Sequence, residues 1–400
     1  MIIRNEYLSQ LRSFRDRQLV KVVTGIRRCG KSTLLEMFRD ELVNSGVSEE
    51  QITMINFEDA DNERLTDRKV LYDYIRNRLI QDKMNYIILD EIQHVGQWQR
   101  VVDSLFIKKN CDVYVTGSNA YLLSGELATL LSGRYVEIKM LPLSLGEYIS
   151  ALGGKTDVAI KYRSYLENSS FPYALELNKP KDIRAYLDGI YTSVVLKDVV
   201  QRKRVADVSA LENVIRFMFD NIGNMCSAKR IADTLTGDGR KISTHTVDSY
   251  LEALCDSFIL YKAERYDVKG KQNLKTGEKY YVVDIGLRYY LLGAQKADMG
   301  RALENVVYLE LLRRGYDVRI GKVGNHGIDF VATDERGVTY YQVALTVRDE
   351  NTLARELRPL DSIADHNPKV LLTLDPDPEA SHNGIRQIYA LDWLLDVRLR

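Results

Sequence analysis

Leu19-Val20-Lys21-Val22-Val23-Thr24 runs straight into Gly25-Ile26-Arg27-Arg28-Cys29-Gly30-Lys31-Ser32-Thr33. An apolar run is followed by a glycine-bounded loop that satisfies G-x-x-x-x-G-K-[S/T], and then by a helical pattern over Ser32–Arg39. Strand, loop and helix in that order are the setting in which this pattern holds phosphate. Gly25 and Gly30 allow the backbone to wrap an anion. The amides of Ile26, Arg27, Arg28 and Cys29, with the helix N-terminus behind them, favour its negative charge. Lys31 is placed to reach the β- and γ-phosphates, and Ser32, next to Thr33, to give Mg²⁺ a hydroxyl ligand. The expectation is an ATP site that uses Mg²⁺.

Further apolar runs follow at Ile52–Phe57, Tyr86–Leu89 and Asp112–Thr116, with helical patterns between them. Runs of Val, Ile and Leu without alternation belong to strands buried on both faces, so the expected fold is α/β with a parallel sheet. Tyr86-Ile87-Ile88-Leu89 ends in Asp90 and Glu91. Asp90 is expected to hold Mg²⁺ through water and Glu91 to orient and activate the attacking water. Such a strand alone reads equally as core with polar exit residues; the phosphate loop upstream gives the carboxylates a purpose. Gly117-Ser118-Asn119 follows the Val113–Thr116 run. Asn119 or Ser118 can position the water, although Gly, Ser and Asn also simply make a good turn. Arg134, just before another strand, is either an arginine finger for a neighbouring subunit or the partner of a local carboxylate.

The chain has 400 residues, which exceeds one ordinary core and suggests two or three domains. Its 56 basic and 56 acidic residues cancel, excluding a wholesale polycation but not a local basic stripe. Four scattered cysteines without CxxC spacing argue against zinc or a disulfide framework. No apolar run approaches the roughly 18 residues of a membrane span, and Met1–Leu11 lacks a signal-like apolar stretch. A soluble cytoplasmic protein is expected.

In this order the landmarks resemble AAA+-like ATPases of bacteria and archaea fused to a winged-helix and nuclease-like C-terminal region of unknown function. They are Tyr7-Leu8…Leu11, Gly25–Thr33, Ile55-Asn56-Phe57-Glu58-Asp59, Leu89-Asp90-Glu91-Ile92-Gln93, Thr116-Gly117-Ser118-Asn119 and Leu131-Ser132-Gly133-Arg134. They continue with Leu141-Pro142-Leu143-Ser144, Phe171-Pro172, Leu196-Lys197-Asp198-Val199 and Ile328-Asp329-Phe330. The resemblance implies an ASCE-type P-loop sheet in which the sensor strand separates the two nucleotide-binding strands. It implies that Asp90 and Glu91 are the Mg²⁺ and hydrolysis pair and makes Arg134 a finger candidate.

The expected domains are a P-loop ATPase (1–148), a helical lid or linker (149–207), a winged helix (208–285) and an α/β restriction-endonuclease-like domain (286–400). Over 208–285 three helices precede a hairpin. Arg240, Lys241, Thr244 and His245 mark the third helix, and Lys262, Arg265, Lys269, Lys271 and Lys275 mark the hairpin, all as candidate DNA contacts. In the last domain Glu304 and Asp329 stand where nuclease carboxylates belong. Gln342-Val343-Ala344 replaces the (D/E)xK element, so the lysine and second carboxylate are missing and nuclease activity is not expected. The expected function is Mg²⁺-dependent ATP hydrolysis coupled to DNA movement or remodelling by a ring, a hexamer or similar. A nucleotide switch acting on protein partners is the alternative, and an ATP-gated nuclease a weaker one.

Overall fold

The computed structural model describes residues 2–118, 131, 133–154, 157–197, 199, 200, 205, 207–293 and 299–396, with backbone only at 195–197, 275 and 276. Two compact units emerge. One comprises Met1–Pro142 with Asp256–Phe258, the other Leu143–Cys255 with Ile259–Arg400.

The first unit runs α1 (Asn5–Ser13), β1 (Val20–Thr24), α2 (Lys31–Asn44), β2 (Ile52–Asn56), α3 (Arg68–Arg76), β3 (Asn85–Asp90), α4 (Trp98–Phe106), β4 (Cys111–Gly117) and β5 (Tyr135–Lys139). The strands form one sheet in the order β2-β3-β4-β1-β5, every pairing parallel. This is the expected P-loop arrangement, with the sensor strand β4 between β1 and β3. Every residue of β1, β3 and β4 is buried, which is why these strands read as unbroken apolar runs. The edge strand β2 alternates buried and half-buried positions instead. Trp98, Val101, Val102 and Leu105 recur on one face of α4, and Leu71 and Ile75 on one face of α3. Both stripes pack on Val20, Val22, Ile87, Leu89, Val113 and Val115. Each such side chain contributes about 1.5–3 kcal/mol on burial.

Lys21 interrupts β1 and is fully buried against Asp112 of β4. Its Nζ also donates to Arg17 O at 2.8 Å, while Asp112 Oδ2 accepts from Tyr114 OH and Asp16 N–H. Burial pushes Lys21 down and Asp112 up, and the attraction between the two charges, with their hydrogen bond, offsets part of that cost.

In the second unit, helices Leu145–Leu152, Val158–Asn168 and Pro180–Ile190 come first, with Ser144 and Asp157 capping the first two. Helices Val208–Asp220, Ala228–Gly237 and Thr244–Asp256 follow, with β6 (Met225–Cys226) between the first two. Then come β7 (Leu260–Asp267), β8 (Gln272–Val282), helices Ile285–Leu292 and Met299–Arg313, β9 (Asp317–Val323), β10 (His326–Asp334) and β11 (Gly337–Ala344). Helix Glu350–Asp361, β12 (Lys369–Thr373), β13 (Ala380–His382), β14 (Ile385–Tyr389) and helix Ala390–Leu394 complete the described chain.

The strands of this unit form one nine-stranded sheet, β13-β14-β12-β11-β10-β9-β7-β8-β6. The hairpin β7–β8, expected as the wing of the winged helix, is therefore interior to the sheet. Parallel pairing of Arg265, Tyr266 and Asp267 with Ile320, Gly321 and Lys322 joins β7 to β9. Asp284 ties the middle of the unit together. It accepts Leu287 N–H at the start of helix Ile285–Leu292, and both the N–H and the hydroxyl of Ser170. Gly286 admits this contact, because a Cβ there would stand 2.4 Å from Ser169 N. Among the described residues no helix is long and apolar enough to cross a membrane.

Candidate nucleotide-hydrolysis site

The carboxyl ends of β1, β3 and β4 lie at one edge of the first sheet, with Thr24 opposite Gly117 and Leu89 opposite Val115. Open parallel sheets bind ligands at this edge. The loop 25–30 leaves β1 here. Gly25 has φ 150° and an added Cβ would sit 2.2 Å from Met140 O, so only glycine fits between the loop and the end of β5. Gly30 takes the left-handed conformation just ahead of α2, which starts at Lys31.

Four side chains fix the loop. Lys31 Nζ donates to Gly25 O at 3.0 Å and Ile26 O at 3.3 Å. Arg4, buried, donates to Cys29 O at 3.1 Å, to Leu141 O at 2.8 Å and to Pro142 O at 3.3 Å. Arg27 pairs with Glu58 at 2.5 Å, which gives the Asn56-Phe57-Glu58-Asp59 landmark a role beside the loop. Cys29 is wholly buried, and burial pushes its thiol above the ordinary range, so it is packing rather than a nucleophile. Arg28 takes a left-handed φ of 66°, and Ser32 and Thr33 are half-buried in the first turn of α2.

Asp90 and Glu91 are almost inaccessible, at 0% and 5% exposure. Thr116 of β4 links them. Its hydroxyl donates to Asp90 Oδ1 at 2.5 Å and accepts the Glu91 N–H at 2.8 Å. Glu91 leaves the strand in a left-handed conformation, φ 54° and ψ 47°, a strained geometry for a non-glycine residue that turns it away from the strand direction. Lys31 Nζ stands 3.5 Å from Glu91 Oε1, and Gln93 donates to Glu91 Oε2. Burial alone would push Glu91 up, but Lys31 and the Gln93 hydrogen bond hold it below the ordinary carboxylate range. Asp90 behaves oppositely. Burial raises it, and hydrogen bonds from Ser32 and Thr116 offset only part of that.

Asp90 Oδ2 is buried with no hydrogen-bond partner among the described residues, and Ser32 adjoins the same carboxylate. A buried anionic oxygen left open beside a hydroxyl fits a hard divalent cation, and Mg²⁺ takes such sites with few protein ligands. Ser118 is buried beside Glu91, with its Oγ near that carboxylate. Asn119, the other candidate at this tip, lies outside the described residues.

Residues 17–149 match the family described as "AAA domain", and residues 160–298 match "Domain of unknown function (DUF8612)". An "Uncharacterized protein" of Haemophilus influenzae is 41% identical over 99% of both chains. The chain belongs to this AAA-domain family. A second relative, from Methanocaldococcus jannaschii, is 29% identical over 79% of this chain and 72% of its own. Among solved structures the AAA-domain protein is similar to a Walker-type ATPase of Pyrococcus abyssi, with a TM-score of 0.50 and 15% identity over 73% of this chain and 96% of that one; this likeness concerns the fold.

Arg134 of the AAA domain pairs with Asp103 of α4 at 2.8 Å and lies over the Phe106 ring. Of the two readings left open by the sequence, the local carboxylate is the contact it makes. In the second unit Arg240, Lys241, Thr244 and His245 are exposed around the start of helix Thr244–Asp256, with Arg240 bonded to Asn213. Lys269 and Lys271 are exposed in the β7–β8 turn. Lys262 pairs with Glu278 at 2.6 Å, Arg265 is half-buried in β7, and the Lys275 side chain lies outside the described residues. The residues that sequence reasoning missed are Arg4, Thr116, Glu58 and Gln93. The last three lie within landmark stretches, whereas Arg4 carries no local signal.

Proposed function

We propose that this AAA-domain protein is a Mg²⁺-dependent ATPase that cleaves ATP to ADP and phosphate. Glu91 carries the proposal: a buried carboxylate held in its charged form at the end of the strand that bears Asp90, within reach of the phosphate-loop lysine. Glu91 orients water for in-line attack on the γ-phosphorus and accepts its proton, while the bond to the β–γ bridging oxygen breaks. Lys31 neutralises charge on the phosphate oxygens, and the loop amides bind them. Ser32, by its hydroxyl, and Asp90, through water, would hold Mg²⁺, which would supply charge neutralisation in the transition state. Ser118 and Asn119 serve as the water-positioning tip, and Arg134, once released from Asp103, as a finger for a neighbouring subunit.

Hydrolysis is further read as coupled to DNA binding, translocation or remodelling by a ring, a hexamer or similar. The exposed Arg240, Lys241, Thr244, His245, Lys269 and Lys271 support that reading, as the surface a winged helix offers to phosphates. A specific observation favours the second reading, a nucleotide switch for protein partners. The Lys262–Glu278 pair and the pairing of β7 with β9 remove part of the free basic hairpin. Steady-state ATPase rates with single-stranded, duplex, forked and four-way DNA, with light scattering in parallel, separate the two. Stimulation by one DNA form supports the motor, and indifference to all of them supports the switch.

A further inference from the structure

With Gln342 and Ala344 in place of the (D/E)xK carboxylate and lysine, the restriction-endonuclease-like region lacks its cation at that strand. The structure supplies one from β8. Lys279 Nζ donates to Glu304 Oε1 at 2.8 Å and to Asp329 Oδ1 at 3.4 Å. Tyr281, two residues along and therefore on the same face of β8, donates to Glu304 Oε1 at 2.7 Å.

Asp329 Oδ2 and both ends of the Gln342 amide are also engaged. Asp329 Oδ2 accepts the Val343 N–H at 3.0 Å. Gln342 Oε1 accepts the Asp329 N–H at 3.4 Å, and its Nε2 donates to Glu356 Oε2 at 2.9 Å. The amide at 342 thus joins Asp329 to Glu356, a donor role that a carboxylate at this position would not fill. Lys279, Glu304 and Asp329 are all more than four-fifths buried. Burial opposes the charge on Lys279, but the two carboxylates outweigh it and hold the ammonium above its ordinary range.

A divalent metal at this place needs carboxylate oxygens facing it at about 2.0–2.6 Å and no competing cation. An ammonium already bridges the two carboxylates, and its positive charge repels another. The residues present do not fit a metal. We infer that Lys279 is the resident cation of this acidic site, standing in for the metal of a working endonuclease and locking β8, helix Met299–Arg313 and β10 together. The basic strand read as a wing is, at this point, the closure of the nuclease-like site.

The test is Mn²⁺ binding to the full chain without nucleotide, followed by calorimetry and electron paramagnetic resonance. Wild type, Asp329→Asn and Glu304→Gln are expected to bind Mn²⁺ alike, any binding coming from the Ser32/Asp90 site. Lys279→Met is expected to gain a Mn²⁺ site that the added Asp329→Asn change removes. Wild-type Mn²⁺ binding or metal-dependent plasmid cutting that Asp329→Asn abolishes would overturn the inference. So would a folded Lys279→Met protein that gains no site. If Lys279→Met does not fold, the comparison of wild type with Asp329→Asn and Glu304→Gln decides alone.

Discussion

Thr116 on β4 donates its hydroxyl to Asp90 on β3 at 2.5 Å, across the two strands whose tips carry the candidate nucleotide site. The same oxygen accepts the Glu91 N–H, so one side chain fixes the Asp90 carboxylate and the Glu91 backbone. Thr116→Val leaves a buried carboxylate oxygen and a buried N–H without partners. A loss of about 1.5–3 kcal/mol in stability is expected, together with a weaker Mg²⁺ dependence of ATPase activity. Thr116→Ser restores both. Urea unfolding and Mg²⁺ titration of the rate check the pair of variants, and a Thr116→Val protein with wild-type values for both would remove this residue from the account.

Arg4 holds the phosphate loop from outside. Its guanidinium joins Cys29 O to Leu141 O and Pro142 O, between the loop and the chain leaving β5. Arg4→Met keeps much of the side chain's bulk and removes the clamp. The expected result is a higher KM for ATP with kcat changed less, and a stability loss of about 1–3 kcal/mol from the orphaned carbonyls. An unchanged KM would show that the loop holds its shape without Arg4.

The strands and the phosphate loop were legible because each is written in consecutive residues. Val20–Thr24, Asn85–Asp90 and Cys111–Gly117 are buried on both faces and so read as continuous apolar runs, and the loop glycines and Lys31 follow at fixed spacing. The clamps were not legible. Arg4 meets partners 25 and 137 residues away, and Lys279 meets Glu304 and Asp329 across 25 and 50 residues. Periodicity and propensity report on neighbours within a turn or a strand, so contacts of that span leave no mark on the sequence. The same reason hid the pairing of β7 with β9. A hairpin announces its own turn, but parallel pairing with a distant strand has none to announce. Thr116 lay inside a landmark whose polar tip, Ser118 and Asn119, drew the functional reading instead.

Arg134 separates two roles cleanly. Its pair with Asp103 is about half exposed, and such a pair contributes about 0–1 kcal/mol. If the pair is its whole purpose, Arg134→Ala and Asp103→Ala leave ATP hydrolysis equally unaffected. If Arg134 acts on a neighbour's γ-phosphate, Arg134→Ala alone lowers kcat by about 10³-fold or more. Mixing Arg134→Ala with Glu91→Gln subunits then restores part of the rate, which steady-state assays read directly.

DNA contact, where it occurs, is expected from the exposed cations and not from the paired one. Lys241→Ala and Lys269→Ala each lower the slope of log affinity against log salt by about 0.9. Lys262→Ala leaves the slope unchanged, because Glu278 already neutralises that side chain. Fluorescence anisotropy over a salt series measures all three. Equal effects from all three would show that the Glu278 pair opens on binding.

The most direct measurement is ATP turnover by the full chain with Mg²⁺, compared with Glu91→Gln and Lys31→Ala alongside nucleotide binding by each. Glu91→Gln is expected to bind ATP as wild type does while hydrolysis falls by about 10²–10⁴-fold. Lys31→Ala is expected to lose both. Hydrolysis that survives in Glu91→Gln at the wild-type rate would contradict the central claim that this buried carboxylate activates the attacking water.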